Sequence, residues 1–331
     1  YEIRPRDWSS DVCSSDLNAP PIAASEYAAR RAALRARIAN GLVALFGNVE
    51  AEGPSAFRAF HQESSFLYLT GFDLPGAMLL MGPAGSAGAA YSETLYIPPR
   101  DRDNEVWTGP QLDPNDPDVA RRFGFQAVRS SREFEGDLKR LAKRAGKIYT
   151  KQAEHFASEE EKAAANRMIE RIRKITGKGG ISSIDAELAP LRQIKSPAEQ
   201  ALMRGAVECT VSAHREAGRA LKPGMREYQI AALMKYVMER EGCTITGFDP
   251  IVGAGPRSTI LHYLRGDGTV AEGDLVVLDV GSEYRDYSAD ITRTLPASGK
   301  FTPRQREIYQ IVPNVQQHSR LSVAEPSKTS V

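Results

Sequence analysis

Apolar positions in the first half of the chain come in short bursts, separated by longer stretches with a helical period. "SEYAARRAALRARIA" (25–39) places its apolar residues on one face between arginines, which predicts a basic amphipathic helix. "GLVALFG" (41–47) is a buried-strand signal. "SFLYLTGF" (65–72), "GAMLLMG" (76–82) and "ETLYIPP" (93–99) continue a mixed series of short strands. "DPDVARRFGF" and "REFEGDLKRLAKRAG" read as helices and "KIYT" as a strand, so residues 18–176 predict an α/β domain. "EKAAANRMIERIRKIT" adds a helix ahead of "TGKGG" (176–180), a Gly-rich, apolar-poor stretch that is the expected boundary.

The pattern changes over residues 181–312. "SPAE" (196–199) is a capping box, with Ser196 as cap and Pro197 in the first helical position, and its helix runs to about Leu221. A second helix, about 226–241, carries an apolar stripe of Ile230, Leu233, Met234, Val237 and Met238, which reads as core rather than as a ligand box. "FDPIVGAG", "TILHYL", "LVVLDVG" and "SADITRTL" follow as strands. Two helices and then an antiparallel series predict an α+β domain. "TPRQREIYQIV" starts a last helix with Thr302 as cap; Pro313 is expected to end it, leaving residues 313–331 as an aberrant or disordered tail.

Within the strand series, "VVLDVGSEYRDYSADITRT" (276–294) carries two acids on what should be a core hairpin. With Arg285-Asp286 as a two-residue loop, Tyr284 faces Tyr287 and Asp290 faces Gly281. Asp279 lies two residues from Gly281 on the same strand face. The carboxylates are then a diagonal pair with backbones ~7–8 Å apart, and one residue more or less in the loop would put them on opposite faces. Two such acids on a mostly apolar face need a positive partner. Arg285 and Arg293 could supply it as a salt-bridged hairpin. A hard divalent cation, which prefers oxygen ligands, could also supply it, with the small Gly281 leaving room for an ion.

Composition narrows the partners. Lys+Arg number 43 against 42 Asp+Glu, which gives no reason to expect nucleic acid or an anionic membrane. No run of apolar residues is long enough to span a bilayer. Three scattered cysteines, Cys13, Cys209 and Cys243, show no pairing pattern and fit a reducing, cytoplasmic setting. "RDWSSDVCSSDL" (6–17) resembles the conceptual translation of a sequencing adapter. Residues 1–17 are therefore set aside as non-native, and Trp8 and Cys13 with them. His61-Gln62-Glu63 is too sparse for a metal site, and "GAGP" (253–256) is a turn rather than a phosphate cradle.

The phrases "IKSPAE", "FDPIVGAGPRSTILHY", "GDLVVLDVGSEYRDYSADITRT" and "GKFTPRQREIY" resemble the catalytic domain of the Xaa-Pro aminopeptidases (aminopeptidase P), pita-bread metallopeptidases. "FLYLTGF" and "LYIPPRDRDNEVWTGPQL" resemble that family's N-terminal domain. The resemblance implies an α/β N-terminal domain followed by an incomplete α+β pita-bread domain. It implies a centre of two Mn2+ ions held by two Asp, one His and two Glu, in which Asp279 and Asp290 match the two Asp. His262, in "ILHYL", matches a histidine that lines the pocket and hydrogen-bonds the substrate. The implied reaction is hydrolysis of the N-terminal Xaa-Pro bond by a hydroxide bridging the metals. The implied partners are peptides with proline in the second position and further copies of the chain, as a dimer or tetramer.

The other His and two Glu are expected downstream, and nothing here matches them: Glu307, Glu325 and His318 stand in the wrong surroundings. The chain is therefore expected to be C-terminally truncated and inactive alone. A prolidase cutting only Xaa-Pro dipeptides, and a non-catalytic pita-bread fragment, are the alternatives.

Overall fold

The structure is a computed structural model that describes residues 22–38, 40–49, 60–82, 93–152, 159–177 and 180–324. The adapter-like segment and residues 325–331 lie outside them. Contacts divide the chain between Ser196 and Pro197, later than the Gly-rich stretch at 176–180. The difference is physical: the strand at 181–183 hydrogen-bonds into the first sheet and carries its following helix with it.

The N-terminal unit runs α1 (Ala24–Arg37), β1 (Gly41–Phe46), α2 (Ser64–Thr70), β2 (Met78–Met81), β3 (Glu93–Ile97), α3 (Glu105–Thr108), α4 (Pro117–Arg122), β4 (Val128–Ser130), α5 (Phe134–Ala142), β5 (Lys147–Thr150), α6 (Glu159–Thr176), β6 (Ile181–Ser183) and α7 (Asp185–Gln193). Its mixed sheet has the order β4-β3-β2-β1-β5-β6. Strands β1, β2 and β3 are nearly all buried, and their alternate residues feed separate clusters around Leu79 and Leu80. "SFLYLTGF" is a correction, because it folds as α2 and not as a strand. The Glu63 carboxylate accepts from the Ser65 and Phe66 amides at its start, and Gly71, with φ 64°, closes its end. Glu63 of the His-Gln-Glu triplet is thus a cap.

The C-terminal unit runs α8 (Pro197–Ala220), α9 (Glu227–Arg240), β7 (Ile245–Thr246), β8 (Ile251–Ala254), β9 (Leu275–Val280), β10 (Ser282–Tyr284), β11 (Tyr287–Ser288), β12 (Ile291–Pro296) and α10 (Pro303–Ala324). Helices α8 and α9 pack on two three-stranded sheets, β12-β9-β8 and β11-β10-β7. Ile230, Met234, Val237 and Met238 are buried with Val276, Leu278 and Val280, so the α9 stripe is core as expected.

Other expectations for this unit change. "TILHYL" is not a strand: a 3-10 turn covers Gly255–Thr259 and a turn follows, because Pro256 and the Ser258 and Thr259 hydroxyls, bonded back to Gly255 and Pro256 carbonyls, curl the backbone. Helix α10 runs through Pro313. That ring removes one helical hydrogen bond on a largely exposed segment, where water can satisfy the freed carbonyl. Cys209 and Cys243 form a disulfide, since the α8–α9 pair brings together residues 34 apart in sequence. The support that unpaired cysteines lent to a cytoplasmic setting is therefore lost. Among the described residues, no helix is long and apolar enough to cross a membrane.

Candidate metal-binding hairpin

The two acids are placed by strand register. Tyr284 pairs with Tyr287 and Glu283 with Ser288, leaving Arg285-Asp286 as the loop. Both loop residues have positive φ, 49° and 69°, the requirement of a type I′ hairpin turn. Beyond Gly281 the same register resumes, with Ile291 opposite Val280 and Thr292 opposite Asp279. No residue is gained or lost between the two sheets, so Asp279 and Asp290 stay on one face.

Gly281 serves a different purpose from the one its size suggested. A Cβ there would lie 1.6 Å from the Ala289 carbonyl oxygen. The glycine admits a backbone crossing rather than an ion.

Helix α8 holds this register along one of its faces. Tyr287 donates to Glu199 at 3.0 Å, and the Tyr284 ring lies against Gly205. The Ser282 hydroxyl donates to the Ala206 carbonyl at 2.7 Å, and its amide donates to the Thr210 hydroxyl at 3.0 Å. His214 Nε2 bonds the Ile291 carbonyl at 3.0 Å, one residue from Asp290. A carbonyl can only accept, so that nitrogen carries the proton, and Nδ1 is buried without a partner. Burial, chiefly, pushes the His214 pKa down, so the ring is neutral near pH 7.

The aspartates meet. Asp290 is raised above its ordinary value, first by partial desolvation and then by the Asp279 charge beside it. Thr292, directly across the ladder, donates its hydroxyl to Asp279 Oδ1 at 2.7 Å. The arginine alternative is not realised. Arg293 donates to the Thr292 carbonyl, and among the described residues neither aspartate forms an ion pair with a lysine or arginine. Two acids that lean on each other without a guanidinium form an oxygen-rich pair, which suits a hard divalent cation.

His262 is exposed in the turn after the 3-10 segment, beside the exposed Leu261 and Leu264. Among the described residues, no group of three or more His, Cys, Asp or Glu side chains gathers into a metal site. The aspartates are therefore together, and His262 does not join them in such a cluster. Thr292 and His214 were not singled out in the sequence. Thr292 could have been found by counting across from Asp279; nothing local marks His214.

Comparison with known proteins gives one consistent picture. Residues 27–149 match the aminopeptidase P N-terminal domain, and residues 201–329 match metallopeptidase family M24. The Xaa-Pro aminopeptidase of Escherichia coli K12 is 32% identical over 299 residues, covering 88% of this chain and 66% of that protein. Xaa-Pro aminopeptidase 3 of Rattus norvegicus is 32% identical, covering 78% of this chain and 50% of that protein. The chain thus spans between half and about two-thirds of these relatives. Among solved structures, proline aminopeptidase P II from Yersinia pestis superposes with a TM-score of 0.79 at 30% identity, covering 90% of this chain and 68% of that one. Aminopeptidase P from E. coli with the inhibitor Pro-Leu gives the same TM-score and coverage. The fold class is the one expected: an α/β N-terminal domain followed by part of an α+β pita-bread domain.

Proposed function

Because the chain belongs to the aminopeptidase P family of M24 metallopeptidases, we propose that its parent protein removes the N-terminal residue of peptides with proline in the second position. Asp279 and Asp290 are the metal-holding carboxylates in this reading, and His262 is the histidine that meets the substrate. The observation that carries it is the strand register that puts Asp279 and Asp290 on one face, with no lysine or arginine paired to either among the described residues. A bound divalent metal, Mn2+ in this proposal, supplies an acidified water and a Lewis acid for the peptide carbonyl.

The chain's own residues prepare that site. Thr292 fixes one Asp279 oxygen, and His214 steadies the strand beside Asp290. The exposed His262 offers a ring nitrogen to a peptide backbone, and its leucine neighbours offer apolar surface to a proline ring. We assign turnover to a polypeptide that also supplies the further His and two Glu. The 331-residue chain alone then binds metal weakly and does not hydrolyse peptides.

Calorimetric titration of this chain with MnCl2 tests the reading. Weak binding that disappears in both Asp279→Asn and Asp290→Asn is expected. Binding unchanged in either variant, or Mn2+-dependent cleavage of a Xaa-Pro-Xaa peptide by this chain alone, would count against it. In a form with the complete ligand set, cleavage of a dipeptide but not a tripeptide would favour a prolidase. A non-catalytic pita-bread fragment is the second reading, favoured by the lack of a three-ligand cluster among the described residues. Calorimetry silent to Mn2+ would favour it.

A further inference from the structure

Glu227 opens α9 and is 0% exposed, yet the proposed chemistry does not use it. Its two oxygens receive four hydrogen bonds. Oε1 accepts from the Ala254 amide at 2.8 Å and from Arg257 Nε at 2.7 Å. Oε2 accepts from the Tyr263 hydroxyl at 2.9 Å and the Gly268 amide at 2.8 Å. All four donors belong to residues 254–268, the segment that carries His262. One carboxylate therefore ties the start, middle and end of a loop that otherwise has little regular structure.

The backbone adds to the same clasp. The Glu227 amide donates to the Gly268 carbonyl, the Tyr228 amide donates to Gly266, and Arg257 reaches the Thr269 carbonyl at 2.9 Å. A larger residue at Gly268 would push the Arg257 guanidinium out of its present place, because a Cβ would lie 2.2 Å from it. Tyr263, buried on Glu227, is the immediate neighbour of exposed His262. Drawing the tyrosine inward fixes where the preceding side chain stands.

We propose that Glu227 is a positioning residue: it clasps the 254–268 loop and so sets the presentation of His262. The proposal rests on His262 meeting substrate only for its catalytic meaning; the clasp itself can be read without turnover. Burial favours the protonated form of Glu227, but the bonds from Arg257, the Ala254 amide, Tyr263 and the Gly268 amide outweigh it and hold the carboxyl below its usual range, so it is ionised at neutral pH.

The test uses the 331-residue chain. Its five histidines give resolvable imidazole proton resonances, with His262 assigned by His262→Gln. Tryptic cleavage after the exposed Arg265 reports opening of the loop. Met234→Ala, a core truncation on the same helix, controls for general destabilisation. Glu227→Gln should move the His262 resonance and raise cleavage at Arg265 on the order of tenfold beyond the control. Tyr263→Phe, which removes one hydroxyl and keeps the ring, should do the same to a smaller extent, and it decides the matter if Glu227→Gln does not fold. Resonance and cleavage indistinguishable from Met234→Ala would overturn the clasp. A moved resonance in a parent protein that cleaves no peptide would keep the clasp and remove the proposed function.

Discussion

Both units bring acids together with other charged or polar groups, and they neutralise them differently: Glu93 and Asp137 are buried, whereas Asp279 is half-buried and Asp290 exposed. In the N-terminal unit Glu93 lies between Arg31, 0% exposed, and Arg35, at 3.0 and 2.8 Å. Arg31 also donates to the Leu69 carbonyl and stacks on the Phe125 ring. Asp137 receives the Tyr96 hydroxyl and the guanidiniums of Arg129 and Arg140. Burial alone would raise Asp137, but these partners bring it below its usual range. In the C-terminal unit Asp279 and Asp290 have each other. An acid closed off by arginines has no capacity left for a ligand. An acid pair that repels itself is a cost the fold carries, one that a bound cation would remove under the proposed function.

Breaking each arrangement should have effects of different size and sign. The largest is Glu93→Ala, which leaves a fully buried guanidinium without its carboxylate; a loss of about 3–5 kcal/mol is expected in urea denaturation. Reduction comes next. The N-terminal unit contributes only Cys13, whereas the Cys209–Cys243 bond closes a loop of 34 residues in the C-terminal one. Chain entropy puts that crosslink at about 3–4 kcal/mol. Reductant should lower the C-terminal transition and leave the other in place, and loss of both together would dissolve the distinction between the units.

Gly281→Ala forces a methyl group onto the Ala289 carbonyl and should cost about 1–3 kcal/mol or more, read as a lowered unfolding midpoint. The smallest effect has the opposite sign. Asp290→Asn relieves the repulsion and should stabilise the chain by ~0.5 kcal/mol at pH 7 while abolishing Mn2+ binding. Because Asp290 is raised in the folded state, its protonated form contributes stability that is full below the unfolded value of about 3.9. That contribution is lost as pH rises through the higher folded value. The gain in Asp290→Asn should therefore grow from acid to neutral pH; a gain that grows toward acid would mean the two carboxylates are not coupled.

The hairpin was legible because strand counting is local: a two-residue loop fixes every partner beyond it, and the aspartates met where that count put them. The partner of the pair was not legible, since composition cannot tell whether Arg293 turns toward an acid or toward a carbonyl. Residues 64–70 were misread because Ser65, Phe66, Tyr68, Leu69 and Thr70 are all buried, which erases the helical period. The signals that would have corrected it, Glu63 before the run and Gly71 after it, were present. The Glu227 clasp and the cysteine bond join residues 27 to 41 and 34 positions apart, distances at which no periodicity operates.

The bend at Arg285-Asp286 carries a local cost that its surroundings must offset. Two side-chain-bearing residues in left-handed geometry cost roughly 1–2 kcal/mol each, so the isolated ribbon has little tendency to close. Helix α8, with its row of small and polar contacts, offsets that cost in the folded chain. The register that joins the two acids is thus held from outside the ribbon, by a helix 72 to 88 residues away in sequence.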